Sequence, residues 1–373
     1  MKAVSYVIQK KDYIRLGLIA LGMILAGGLV LKRADLAAEG VSRGINLCLN
    51  TVIPSLFMFM VIAEFLSLTD LSEVMFFPLR FISWFFRVPG ETVSVFILSL
   101  LGGYPIGAQM ISNLVRQKKI SPETGETLLC SSVNCSPSFL IGAVGIALFN
   151  SVQLGMMMYV CQVLAALLTG VAAGLIGRKR DGDYTWHEVF EFQEKDEEEE
   201  KISYVQTFVT AVVNAGKALF VICCFVVLFS VAFVFLSAVP KGEFLGGLLE
   251  VSVGCFSLAG RSFLETLVLS TVYTAFGGIC VWMQVACFLR KTGVRIKKFV
   301  WFRCLYVFLS LLFTLLGSRF FVISVETFST TDQMVPQNGS VSMTAAVFLV
   351  ILCVMLLITE KGYDKIKKNR AGR

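Results

Sequence analysis

Residues 92–149 read TVSVFILSLLGGYPIGAQMISNLVRQKKISPETGETLLCSSVNCSPSFLIGAVGIALF, and their interruptions decide the fold. The apolar run 93–101 is too short to cross a bilayer, which takes about 20 residues. It breaks at Gly102-Gly103-Tyr104-Pro105-Ile106-Gly107-Ala108-Gln109, and a second short segment leads back to Arg116, Lys118 and Lys119. A down-and-back pair with glycine and proline at its tip predicts a re-entrant hairpin over 92–119. The next apolar segment is itself interrupted, at Asn134-Cys135-Ser136-Pro137-Ser138. Irregular backbone at membrane depth leaves polar groups unpaired, so it persists only where it lines a cavity or is buried in protein. Paired interruptions of this kind point to the binding site of a transporter. Two interfacial helices beside a kinked span are the plainer alternative.

The whole chain supports a membrane setting. Its 373 residues are 56% hydrophobic and 16% charged, with a mean hydropathy of +0.77. Several runs reach spanning length, which predicts an all-α polytopic membrane protein. About eight transmembrane helices are expected, over 14–31, 45–68, 128–149, 152–176, 204–237, 266–289, 299–322 and 343–359. Lys32-Arg33 follows the first run in place of small residues, so a retained helix is expected and not a cleaved signal. A second broken element, 243–260, contains Gly246-Gly247-Leu248-Leu249-Glu250-Val251-Ser252 and predicts a second hairpin. The sixth expected span breaks at Phe276-Gly277-Gly278-Ile279-Cys280.

Basic residues orient this drawing. With the N-terminus inside, 26 of the 33 Lys and Arg fall on the cytoplasmic side, which predicts that both termini are cytoplasmic. Residues 290–303 are counted among those cytoplasmic flanks. Lys32, Arg33 and Arg43 dissent, and an amphipathic lead-in to the second span would accommodate them. In this orientation the first hairpin enters from inside and the second from outside. Each follows one long span and precedes a broken span and then an intact one. That is an inverted repeat. The expected layout is an N-terminal span and lead-in (1–44), a first gate-like repeat (45–176), a charged cytoplasmic linker (177–202), a second inverted repeat (203–322), and a last span with a basic tail (323–373). The linker carries Asp196, Glu197–Glu200 and the only histidine, His187, and reads as a solvated loop. Residues 71–86, with Arg80 and Trp84, read as an interfacial amphipathic helix.

Ionisable residues within spans are costly and are functional candidates. Glu250, at the second hairpin tip, is the strongest. Glu64 and Lys217 lie near span ends, where snorkelling competes with a ligand role. Broken helices expose N–H groups suited to a carboxylate. Ser136, Ser138 and Ser252 offer hydroxyls, Gln109, Asn134 and Gln284 offer amides, and Tyr104 and Trp282 offer rings. Gly103, Gly277 and Gly278 bring backbone to the site. Each of these residues is equally suited to packing helices together. The eleven cysteines lie in or beside apolar segments without C-x-x-C spacing and read as small hydrophobes. There is no H-E-x-x-H, Walker loop or dinucleotide fingerprint, and basic residues follow topology instead of forming one patch. No enzyme, metal, cofactor or nucleic-acid partner is expected.

Four ordered motifs, Gly103-Tyr104-Pro105-Ile106-Gly107-Ala108, Asn134-Cys135-Ser136-Pro137, Gly247-Leu248-Leu249-Glu250-Val251 and residues 277–284, resemble the YlbJ/SpoVV-type sporulation integral membrane proteins. That family carries a nucleoside recognition or gate domain similar to the core of concentrative nucleoside transporters. The resemblance implies export of dipicolinate from the mother cell across the outer forespore membrane, which with the hairpins predicts a secondary transporter in which Glu250 couples a proton or cation. The family pattern often has Lys at the position of Gln109, Asn at Val133, and Ser and His at Cys280 and Trp282. These departures point to a less charged solute as the alternative, handled by a nucleoside or nucleobase permease. A non-transporting scaffold of spore-envelope assembly is the third class.

Overall fold

The computed structural model describes residues 10–69, 71–176, 203–239 and 242–320. The charged linker with His187, the expected last span and Cys353 lie outside the described residues. Every regular element described is helical. Among them, five helices are long and apolar enough to cross a membrane: Ala34–Leu68, Val152–Ile176, Tyr204–Ser237, Phe263–Phe288 and Lys297–Arg319. A bent pair, Phe77–Phe86 and Gly90–Gly102, raises the number to six if it counts as one span.

The first helix, α1 (Lys10–Lys32), carries an apolar stretch, Leu16–Lys32, that falls short of the span length. Then α2 (Ala34–Leu47) runs through π-helical turns at Cys48–Val52 into α3 (Ile53–Leu68). The expected lead-in and second span are thus one helix of 35 residues. At about 1.5 Å per residue such a rod exceeds the ~30 Å hydrocarbon thickness.

Next come α4 (Leu71–Met75), a 3₁₀ turn at Phe77–Leu79 and α5 (Arg80–Phe86), which ends at Arg87 with φ 55°. This segment differs from the expected surface helix. It is broken, it turns by 103° into the first hairpin, and it buries Arg80 and Phe86.

Hairpin one is α6 (Val93–Gly102) and α7 (Ile106–Arg116), joined across Gly103-Tyr104-Pro105 with a cis peptide bond before Pro105. The broken span then opens with α8 (Pro122–Leu129), started by Ser121, whose Oγ accepts from Thr124 N at 3.1 Å, and by proline in the first turn. Helix stops at Leu129, residues 130–137 are irregular, and a π-helical segment, Ser138–Ile146, continues into α9 (Ala147–Phe149). The interruption is therefore longer than Asn134–Ser138. The first half ends with α10 (Val152–Ile176).

The second half has the same element order. A long helix, α11 (Tyr204–Ser237), leads to hairpin two, α12 (Gly242–Leu249) and α13 (Val251–Phe256). The broken span is α14 (Phe263–Phe276) and α15 (Gly278–Phe288), and α16 (Lys297–Phe320) closes the half. Ser262 and Glu265 form the S-x-x-E start of α14, with Ser262 Oγ accepting from Glu265 N at 3.4 Å. Gly277 (φ 82°) and Gly278 (φ 67°) make the break, a left-handed turn that other residues adopt only with strain.

Corresponding elements pack in pairs: α3 lies against α11, and α10 against α16. Each hairpin packs on its own broken span, α7 on α8 and hairpin two on α14 and α15, and also reaches the broken span of the other half. Helix α7 contacts α15, while Val251 and Cys255 of hairpin two share a core with Cys135, Leu140 and Val144 of the first broken span.

Hairpin two closes on a glycine pair. A Cβ on Gly254 would sit 2.2 Å from Gly247 Cα, and one on Gly247 would enter the Tyr273 ring at 2.3 Å. Leucine at Gly254 must therefore spread the two arms, at about 1–3 kcal/mol for overpacking. Alanine at Gly216, where nothing lies within 4 Å, serves as the control. Thermal unfolding of the purified chain, followed with a thiol dye that reports exposure of buried Cys135 and Cys255, is expected to fall for Gly254→Leu and hold for Gly216→Ala.

Candidate functional site

A cavity of about 70 Å³ lies where the interrupted elements converge. Gly103 and Tyr104 come from the tip of hairpin one, and Cys135, Ser136 and Phe139 from the first broken span. Glu250, Val251 and Ser252 come from the tip of hairpin two, and Cys280, Val281 and Gln284 from the second broken span. The long helices complete the wall, with Thr51, Ser55 and Leu56 on one side and Ile222 and Val226 on the other. By the ~10–15 Å³ that one water requires, the chamber holds a few waters.

The tips reach the chamber for local reasons. Gly103 takes φ 84°, and a Cβ there would stand 2.8 Å from Ser136 Cβ, so only glycine lets hairpin one touch the first broken span there. The Tyr104 hydroxyl donates to Cys135 Sγ at 3.6 Å. Glu250 is 4% exposed, and its Oε2 accepts from Val253 N at 2.6 Å. The positive end of α13, expected to hold an acidic solute, is thus occupied by the chain's own carboxylate. Ser136 is engaged in the same way, with its Oγ accepting from Phe139 N at 3.2 Å.

Six expected site residues line the chamber: Gly103, Tyr104, Ser136, Glu250, Ser252 and Gln284. Five do not. Gln109 donates through Nε2 to Glu64 Oε2 at 2.9 Å. Asn134 donates to Ser99 Oγ at 3.1 Å, which ties the break to hairpin one, and to Ser131 O at 2.8 Å within the break. Ser138 is exposed at the start of the π-helical segment. Gly277 and Gly278 form the left-handed turn itself. Trp282 does not stack in the chamber either: it packs on Phe276 and Phe299, and its Nε1 donates to Phe276 O at 2.9 Å. Lys217 is exposed, in line with snorkelling. The ten described cysteines are free thiols, and no cluster of three or more His, Cys, Asp or Glu able to hold a metal occurs among the described residues.

Two residues carry more than their sequence positions suggest. Glu64 does not snorkel; it is 4% exposed and bonded by three amides. Arg303, counted above with the basic flanks, is 1% exposed. Its Nη1 donates to Val133 O, in the first break, and its Nε to Phe276 O, in the second, at 3.0 Å. The guanidinium lies over the rings of Phe299 (5.6 Å) and Tyr306 (4.7 Å), and Nη2 is buried without a hydrogen-bond partner. The signal in the sequence was faint: an arginine one turn inside an apolar helix, where topology alone explains it.

Away from the chamber, Arg295 Nε donates to Glu126 Oε1 at 2.7 Å and Lys298 Nζ to Thr127 Oγ1 at 2.9 Å, tying α8 to the start of α16. The bond to Glu126 holds the Arg295 guanidinium above its ordinary value.

These features define a multi-pass α-helical membrane protein with two helical hairpins and two broken spans around a polar chamber. No family model matches the chain, and no solved structure matches it. It is similar to the sporulation integral membrane protein YlbJ of Bacillus subtilis (strain 168), at 25% identity over 318 residues that cover 76% of this chain and 78% of that protein. The similarity supports a YlbJ-type assignment.

Replacing Arg303 by methionine roughly keeps the volume and removes both bonds, leaving Val133 O unsatisfied at about 1–3 kcal/mol while Phe276 O keeps the Trp282 Nε1 donor. Lysine restores the charge but cannot fork between two acceptors. In the thiol-dye unfolding assay Arg303→Lys is expected to fall between wild type and Arg303→Met. Equal stability of all three chains would show that the bridge does not hold the breaks together.

Proposed function

We propose that the chain is a secondary transporter whose solute binds in the chamber between the hairpin tips and the broken spans. The observation that carries this is the convergence of both hairpins and both broken spans, two elements from each half, on one cavity with polar groups in its wall. Unpaired main chain at membrane depth has a cost, and a wet binding site is what accounts for keeping it. Solute entry from one side and exit to the other would have the hairpin-bearing core move against the long helices. Alternating access of that kind is the expected cycle.

The finer form of the proposal is export of dipicolinate from the mother cell across the outer forespore membrane. It is supported by the motif resemblance and by the sporulation name of the relative. Glu250 is the one carboxyl group on the chamber wall, and it faces any anionic solute. A like charge opposes ionisation, so a dianion enters together with a proton on Glu250. Arg303, behind the wall, supplies the positive field that an anion needs. Neutral hydroxyl and amide lining at Thr51, Ser55, Ser252 and Gln284 favours a second reading, an uncharged nucleoside-like solute.

Vesicles reconstituted with the full chain separate these readings. Labelled dipicolinate is expected to accumulate saturably and faster as pH falls from about 7.5 to 5.5, and Glu250→Gln is expected to abolish the pH dependence. Removing two lining polar groups, Ser136→Ala with Gln284→Ala, should lower kcat/KM about tenfold or more, the scale of two lost hydrogen bonds. Inhibition by uridine but not by dipicolinate would move the solute to the nucleoside class. Absence of flux and of thermal stabilisation with either solute would leave a structural membrane scaffold.

A further inference from the structure

We infer that Glu64, Gln109, Asn113 and Asn214 form a binding site for a small monovalent cation of the sodium class, apart from the solute chamber. Glu64 lies on α3, Gln109 and Asn113 on the return arm of hairpin one, and Asn214 on α11. The carboxylate accepts from Gln109 Nε2 (2.9 Å) and Asn113 Nδ2 (2.8 Å) at Oε2, and from Asn214 Nδ2 (2.9 Å) at Oε1. Among the described residues no Lys or Arg pairs with it. Three neutral amides solvate the charge without cancelling it, and a carboxylate taken out of water costs several kcal/mol when left uncompensated.

The second observation is an orphan oxygen. Gln109 is 5% exposed, and its Oε1 is buried without a hydrogen-bond partner, on the same amide group whose nitrogen touches Glu64. A cation beside the carboxylate satisfies that oxygen and neutralises Glu64 together. The other two amides complete the set. An Asn or Gln side chain offers oxygen and nitrogen at neighbouring corners, so turning it over swaps a donor for an oxygen ligand. With Asn113 and Asn214 turned, the cluster presents a carboxylate and three amide oxygens, the ligand type of hard cations. One carboxylate balances one positive charge, which favours a monovalent ion over Ca²⁺ or Mg²⁺.

An ion at this position joins hairpin one to α3 and α11, the two long helices that wall the chamber through Ser55 and Ile222. Its occupancy then sets how freely the hairpin separates from them. That coupling role rests on the transport reading; the binding does not.

The test is equilibrium binding of ²²Na⁺ to the purified full chain in choline chloride, with no solute and no flux. Saturable binding near one ion per chain is expected, together with a higher unfolding temperature in NaCl than in choline chloride at equal ionic strength. Glu64→Gln should abolish both effects. Gln109→Leu, which keeps the carboxylate, should weaken ²²Na⁺ binding about tenfold or more, the scale of one interaction with a charged group. If Glu64→Gln does not yield folded protein, Gln109→Leu and Asn214→Leu decide the matter alone. Absence of ²²Na⁺ binding to the wild-type chain overturns the site, as does unchanged binding in both leucine variants. Stabilisation that follows pH and ignores sodium also overturns it in favour of a proton. Failure of solute flux in vesicles, with sodium binding intact, would reject transport and leave the cation site standing.

Discussion

Two main-chain carbonyls at the breaks, Val133 O and Phe276 O, come from different halves of the chain and both accept from the Arg303 guanidinium, with Trp282 Nε1 a second donor to Phe276 O. Within a membrane, backbone that leaves the helix has no water to fall back on, so every break must find its partners inside the protein. Arg303 reaches both breaks at once, and its position on α16 therefore ties the two broken spans together. Phe299 and Tyr306, on the same helix at −4 and +3, sandwich the guanidinium between rings and hold its direction. The chamber exists because this clamp holds the breaks facing each other, and the hairpin tips then fill the remaining gap.

The hairpins depend on the breaks in turn. Gly103 can approach Ser136 because neither carries bulk at the contact, and hairpin two can seat Val251 and Cys255 against Cys135 because the first broken span is irregular there. Each hairpin packs on the broken spans of both halves, and the intact helices pair as equivalents, α3 with α11 and α10 with α16. Shared packing of this sort makes the two halves mutually dependent. Glycine recurs at the breaks of both halves, and proline joins it only in the first, at Pro105 and Pro137.

Much of this was legible in the sequence because interruption has a chemical signature. Gly103 and Pro105, Pro137, Gly247 and Gly277 mark breaks whatever surrounds them, and the apolar runs between them have lengths that only helices in lipid require. The partners of buried charges were not legible. Glu64 stands near the end of an apolar run, where a carboxylate reads as surface, and its three amide donors lie 45, 49 and 150 residues away. Arg303 stands among lysines and arginines whose distribution topology already explains. Nothing local separates the residue that turns inward. Gln109 and Asn134 were legible as polar groups in apolar surroundings but not as internal fasteners. A polar residue that lines a cavity and one that ties two helices together have the same sequence context, and only the third dimension tells them apart.

Glu64, Glu250 and Arg303 are all buried, yet none forms an ion pair among the described residues. Each is held by neutral dipoles instead: amides around Glu64, a helix N-terminus at Glu250, carbonyls and rings around Arg303. For stability alone, pairing these charges with one another or replacing them by apolar groups would serve better. Dipoles solvate a charge while leaving its sign uncancelled, so a mobile ion or a charged solute still meets the full field. They also release it cheaply, since separating an amide from a carboxylate costs less in a low-dielectric interior than separating two opposite charges. A core that must part and close again around its cargo is better held by dipoles than by salt bridges.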